Sequence, residues 1–241
     1  GSESALLTAY TLIASKSNKI NRLTTDSVVF IDPTLNPDGR DRHSQWANQY
    51  KSINLVADSN DAEHNESWPR GRTNHYWFDL NRDWLLAIHP ESRGKLNWLH
   101  EWYPNVVLDV HEMGTNSNYF FDPMKSSASV KPLIPQENVD LYPIFAEYYV
   151  KYMDSIGSFY YSKESFDETY PGYGSTYSDL QGGLALLFEQ ASSRGHVQET
   201  NYGEMTFGFT IRNQFLNGIA TVEAAVDNKM LLRDYQKRFF E

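Results

Sequence analysis

Apolar residues along the chain fall into two kinds of segment, short solid runs and longer stretches with helical spacing. Residues 27–31 (SVVFI), 106–110 (VVLDV) and 184–188 (LALLF) are the short runs. Their near-continuous apolar character is that of strands buried on both faces of a parallel sheet. Residues 5–14 place Leu6, Leu7, Tyr10, Ile13 and Ala14 on one helical face. Pro90, at a first helical position, opens a helix through about Trp102. Residues 138–156 carry Leu141, Phe145, Tyr148, Tyr149 and Tyr152 at helical spacing and stop at Gly157, while 209–239 reads as one long final helix with Gly218 inside it. Between these lie a turn at Asn36-Pro37-Asp38-Gly39, a polar and aromatic loop over 40–78, a Pro-broken loop from His111 to about Gln136, a Tyr/Gly/Ser-rich loop ending at Gly183, and a polar loop after Glu189.

Apolar strands alternating with helices predict an α/β fold with a mostly parallel or mixed central sheet and helices on both faces. In such sheets ligands bind beyond the carboxyl ends of the strands. His111 ends one strand and Glu189 another, so an imidazole and a carboxylate are expected to emerge at one edge. The first helix has no strand before it, so residues 1–241 read as a single domain that is incomplete at its N-terminus.

Composition narrows the chemistry. The formal charge of -10 disfavours contact with a phosphate backbone and argues against a nucleic-acid role. Without cysteine there is no disulfide, thiolate site or thiol nucleophile, so a metal here must be held by His, Asp or Glu. No apolar stretch approaches the roughly 20 residues that cross a bilayer.

Asn36-Pro37-Asp38-Gly39, then Arg72-Thr73-Asn74, then Asp79-Leu80-Asn81-Arg82, then strands ending in His111 and Glu189, occur in that order in a consistent structural context. The series resembles the zinc carboxypeptidase family of the carboxypeptidase A type. The resemblance implies His111 as a zinc ligand and Glu189 as the general base that takes a proton from zinc-bound water and passes it to the leaving amine. It further implies Arg72 as oxyanion stabiliser, with Arg70 as its competitor. Asn81 and Arg82 would be the pair that holds a peptide's free C-terminal carboxylate, a task suited to the guanidinium fork. Asp79 would be the carboxylate that orients a zinc-bound histidine. Tyr170 would cover the bound terminus, with Tyr173 and Tyr177 close enough to replace it. Glu112 is expected on the opposite strand face from His111. The pocket floor is expected in the loop 175–179, where Thr176 would imply no strong charge selection and Asp179 would instead attract a basic side chain.

The family's other two zinc ligands come from a His-x-x-Glu motif ahead of the first helix. The one such spacing in the chain, His196 to Glu199, follows Glu189 and reads as coincidence. His43, His64, His75, His89 and His100 have no partner at ligand spacing and read as solvated loop residues. One imidazole does not hold a catalytic zinc, which takes three protein ligands and an open position, so this stretch alone is expected to bind zinc weakly and hydrolyse little. The family supplies the two further zinc ligands from that missing N-terminal segment.

The expected function is that of a zinc metallocarboxypeptidase with peptide or protein C-termini as substrate. The alternatives are a related zinc amidohydrolase acting on acyl-amino acids or cell-wall peptides, and a catalytically dead peptide-binding module. An exposed sheet edge, covered by the missing segment or by self-association, is a further expectation. The resemblance favours a periplasmic or secreted location.

Overall fold

A computed structural model describes residues 1–124, 133–167 and 169–241. Its helices are α1 (Ser2–Ala14), α2 (Asn18–Thr25), α3 (Pro37–Tyr50), α4 (Pro90–Trp102), α5 (Gln136–Val139), α6 (Tyr142–Ser155), α7 (Gly174–Tyr177), α8 (Phe207–Asp227) and α9 (Lys229–Phe240). Its strands are β1 (Val106–Met113), β2 (Tyr119–Phe121), β3 (Tyr160–Tyr161), β4 (Leu184–Ala191), β5 (Val197–Thr200) and β6 (Gly203–Thr206). A four-stranded mixed sheet runs in the order β1-β4-β2-β3, and β5 and β6 form a separate hairpin.

The two apolar runs at the centre behave as expected. β1 and β4 pair in parallel from Val106 opposite Leu184 to Met113 opposite Ala191. Side chains alternate between sheet faces with a period of two, and the packing follows that rule. Val106, Leu108 and Val110 of β1, with Leu184, Leu186 and Phe188 of β4, lie against α6, α8 and α9 through Phe145, Tyr149, Ala220, Ala224 and Tyr235. The opposite face carries Val107 beneath Trp84, Leu96, Leu99 and Tyr177 from the α4 and α7 layer. Helices therefore cover both faces of a mixed sheet. The same alternation sends Asp109, His111 and Glu189 to the α4 and α7 side.

Several local expectations give way. Residues 27–31 form no strand and pair with no described strand, and Val28 is 72% exposed. A β-branched run becomes a strand only where a neighbour completes its ladder, and here Phe30 instead packs edge-on against Trp98 and Trp102 of α4. The face of α1 that carries Leu6, Leu7, Tyr10 and Ile13 points outward, with Ile13 86% exposed. α1 buries Ser4, Thr8 and Leu12 instead, because small side chains allow close approach to α8: a Cβ on Gly218 would stand 3.2 Å from the Thr8 hydroxyl oxygen.

The Asn36 turn is the cap of a helix. Its side chain accepts from the Gly39 N–H, Pro37 follows at the first helical position, and α3 occupies part of the expected 40–78 loop. The final helix divides at Asn228 into α8 and α9. Short strands β2 and β3 and the β5–β6 hairpin lie inside segments expected to be loops. Part of the loop expected to end near Gln136 lies outside the described residues.

Candidate active site

β1 and β4 deliver the first groups. His111 and Glu189 are register partners on adjacent parallel strands, so both project from one face near the carboxyl ends. His111 Nε2 lies 2.9 Å from Asp109 Oδ2 and 2.7 Å from Asn81 Nδ2. Those neighbours make opposite demands: the carboxylate needs a donor, and the amide N–H needs an acceptor. Burial alone would push the imidazole pKa down, but the Asp109 charge and hydrogen bond, helped by Glu189, raise it to about 9. Asp109 is held below the usual carboxylate range; burial opposes this, and His111, Asn81 and Lys95 outweigh it.

Glu189 has an environment that favours its neutral form. Burial, reinforced by Asp109 and Glu112 and opposed by His111 and Arg72, lifts its pKa to about 7. Its Oε2 is buried without a hydrogen-bond partner, a costly state for a carboxylate unless it has chemistry to perform. Glu112 leaves on the other face, where it accepts from the Ser192 hydroxyl at 2.8 Å.

A 3-10 turn over Leu80–Arg82 brings the next groups to this rim. The Asp79 side chain caps the turn by accepting from the Asn81 N–H at 3.0 Å. Its other oxygen receives Arg72, with Nη2 at 2.7 Å, while Arg82 Nη1 stands at 3.8 Å. Arg72, and not Arg70, makes this contact. Arg82 donates to the Asn81 carbonyl and lays its guanidinium 4.3 Å from the centre of the Tyr173 ring. Tyr170 donates from its hydroxyl to the Arg82 carbonyl and packs edge-on against Tyr173. His111, Glu189, Arg72, Asn81, Arg82, Asp79 and Tyr170 thus lie in or beside one network.

Three members of the network escaped the sequence reading. Asp109 joins His111 to Asn81, donating nothing and accepting from Asn81 Nδ2 at 3.0 Å. Trp84 donates its indole N–H to Asn81 Oδ1, and the Gly174 backbone N–H donates to the same oxygen. The Asn81 amide is therefore fully engaged within the protein. A signal for Asp109 was available, because a carboxylate inside VVLDV needs a partner.

Other readings change as well. Asp179 is fully buried, accepting from the Tyr142 hydroxyl and the Ala185 N–H, so it does not offer its charge to a substrate side chain. His196 meets Glu63 through both its backbone N–H and Nδ1, and Glu199 sits on β5 opposite Glu204; the pair forms no joint metal site. His64 and His89 are buried rather than solvated. Among the described residues, the three donors that gather closely enough for a metal are Asp38, His75 and Glu91, and His111 belongs to no such group.

Similarity places the chain. A metallo-carboxypeptidase from Burkholderia cenocepacia superposes with a TM-score of 0.61 at 16% identity, over 92% of this chain and 52% of that one. A metallo-carboxypeptidase from Pseudomonas aeruginosa in complex with (2-guanidinoethylmercapto)succinic acid gives 0.62 at 13% identity, over 96% and 54%. Thrombin activatable fibrinolysis inhibitor gives 0.57 at 13%, over 94% and 61%. The chain spans about half the length of the first of these structures. No curated protein sequence matches it. The family model described as zinc carboxypeptidase matches residues 1–215, and the chain belongs to that family.

Proposed function

We propose that this protein is a metallocarboxypeptidase that hydrolyses the last peptide bond of a peptide or protein. The observation that carries the reading is the shared face of His111 and Glu189 beside the Asp79-Asn81-Arg82 turn. Arg82, stacked on Tyr173, is the group we assign to the substrate's terminal carboxylate, because a guanidinium meets a carboxylate through two parallel hydrogen bonds. Arg72 would face the oxygen of the scissile carbonyl, and Tyr170 would close over the bound terminus. Glu189 takes a proton from the attacking water as its oxygen bonds to the carbonyl carbon. The proton then passes to the amine nitrogen as the C–N bond breaks. That the Pseudomonas relative is seen with a succinic acid derivative supports a carboxylate ligand.

Zinc, implied by the family, finds an incomplete donor set at this rim. His111 contributes one imidazole, its Nε2 is hemmed by Asn81 and Asp109, and the described residues assemble no three-donor group around it. The 241 residues alone are accordingly proposed to hydrolyse little. A peptide-binding role without catalysis is the second reading, favoured by that single donor. Acyl-amino acids or cell-wall peptides would be the substrates of an amidohydrolase variant. Export to the periplasm or medium is proposed from the family alone, and no described helix is long and apolar enough to cross a membrane.

The test is release of single amino acids from free-acid and C-terminally amidated peptides by the full-length protein. Release from the free acid, its loss with the amide, and a drop of about a hundredfold or more in Glu189→Gln are expected. Full activity in that variant rejects Glu189 as base. Tight peptide binding with no release by the full-length protein selects the binding reading.

A further inference from the structure

We infer that Asp38, His75 and Glu91 form a divalent-metal site that would take an ion of the zinc class. The three come from separate places: the first turn of α3, the loop after Arg72, and the first turn of α4. Each offers one donor atom, and all three atoms lie within 4.8 Å of one another. One imidazole and two carboxylates make a nitrogen–oxygen set suited to zinc and to cobalt in its place. Zinc bonds of about 2.0–2.2 Å set neighbouring donors roughly 3.5 Å apart, so a gap at the 4.8 Å limit would contract by about an ångström. Asp38 and His75 have the freedom to do this, since both side chains are more than a third exposed.

An independent observation points the same way. Glu91 Oε2 is buried with no hydrogen-bond partner, and no described Lys, Arg or His lies within ion-pairing distance of Glu91. A buried carboxylate oxygen without a positive partner is costly, and a cation held by the other two residues would supply one. Asp38 already accepts from the His75 backbone N–H at 3.0 Å and lies 2.6 Å from its Nδ1. Asp38 and Glu91 each stand in the first turn of a helix, whose positive end favours an anionic side chain there. Arg42 is the opposing charge, close enough to Asp38 to act on it, but its guanidinium is turned onto the carbonyls of Thr73 and Asn74. An ion here would fasten the loop that carries Arg72 to two helices. The sequence hid the site because positions 38, 75 and 91 follow no ligand spacing.

The test is calorimetric titration of the 241-residue protein with zinc, paired with the visible absorption of bound cobalt. One ion per chain is expected, with affinity at least about tenfold weaker in His75→Ala and in Glu91→Gln and unchanged in His111→Ala. Circular dichroism melts establish that each variant is folded, and Asp38→Asn replaces any that is not. Absence of binding overturns the inference. So does binding lost in His111→Ala and kept in His75→Ala, or an adventitious ion only, held equally by every variant.

Discussion

Lys95 offers the sharpest test of how burial and charge are balanced behind the site. It sits on α4 with its Nζ buried, without a hydrogen-bond partner, 3.4 Å from the centre of the Trp84 ring. Burial drags its pKa from 10.5 down to about 8, although Asp109, Asp32 and Asp83 all pull upward. That drop corresponds to something on the order of 3 kcal/mol against the charged form. The sign follows from proton counts. Between about pH 8 and 10.5 the unfolded chain binds the proton and the folded chain does not, so stability rises with pH there; the penalty is complete below pH 8 and gone above 10.5. Lys95→Met keeps the stem's packing, removes the charge and forfeits a cation–π contact worth about 1 kcal/mol. The variant is therefore expected to be about 1–2 kcal/mol more stable at pH 7, with the advantage shrinking as pH approaches 10.5. Urea unfolding followed by circular dichroism at pH 7, 9 and 10.5 measures it. Titration of groups that do not interact with Lys95 cancels in the difference between the two proteins. A variant less stable at pH 7, or a difference flat with pH, would refute the reasoning.

Phe188→Ala removes a fully buried ring from between the sheet and α6, at a cost of about 3–5 kcal/mol; the same urea titration reads it, and a loss under 1 kcal/mol contradicts the described packing. Asp83 accepts from the backbone N–H groups of Ile88 and His89, and although burial opposes it, these bonds and Ser92 hold its pKa below the usual range. Its stabilising effect is present above the ordinary carboxylate pKa and is lost as pH falls through the depressed one. Asp83→Asn is thus expected to be less stable near pH 6 and to lose less on acidification than the parent, as thermal melts from pH 6 to 3 will show. Gly174→Ala would set a Cβ 2.5 Å from Asp109 Oδ2 and 2.9 Å from Trp84, so peptide hydrolysis by the full-length protein should fall at least about tenfold, since displacing a positioned group by an ångström costs that much or more. Unchanged turnover would show that Asp109 does not hold the rim in place.

What the sequence revealed and what it concealed have a common cause. VVLDV and LALLF are legible because strands covered on both faces leave no polar positions to blur the run, and Pro90 marks α4 because proline fits only the first helical turn. α3 is a surface helix with just Gly39 and Ala47 buried, so it carries no apolar stripe to detect. β2 and β3 have three and two residues, too few for alternation to register. α1 misled for a different reason: its apolar stripe is real, but Ser4 and Thr8 decide the contact with α8 because they let the backbones approach. The site followed the same division. His111 and Glu189 were visible as polar ends of apolar runs, whereas Trp84 and Gly174 act on Asn81 through an indole N–H and a backbone N–H, groups that leave no trace in residue pattern.

The charge arrangement at the rim supports the proposal that Arg82, rather than Arg72, takes the substrate's anion. Both guanidiniums address one carboxylate, but Asp79 lies 2.7 Å from Arg72 and 3.8 Å from Arg82. Interaction strength falls with distance and more steeply where water screens it, so Asp79 is committed to Arg72. Arg82 is left with neutral partners, a backbone carbonyl and the face of Tyr173. Those partners fix the plane of the guanidinium without cancelling its charge, which is the condition a carboxylate-binding group must meet: preorganised in direction, unsatisfied in electrostatics. Asn81, beside it in sequence, has the opposite assignment. Its amide is held by Asp109 through the nitrogen and by Trp84 and Gly174 through the oxygen, and it locks the turn so that Arg82 keeps its heading relative to the strand ends.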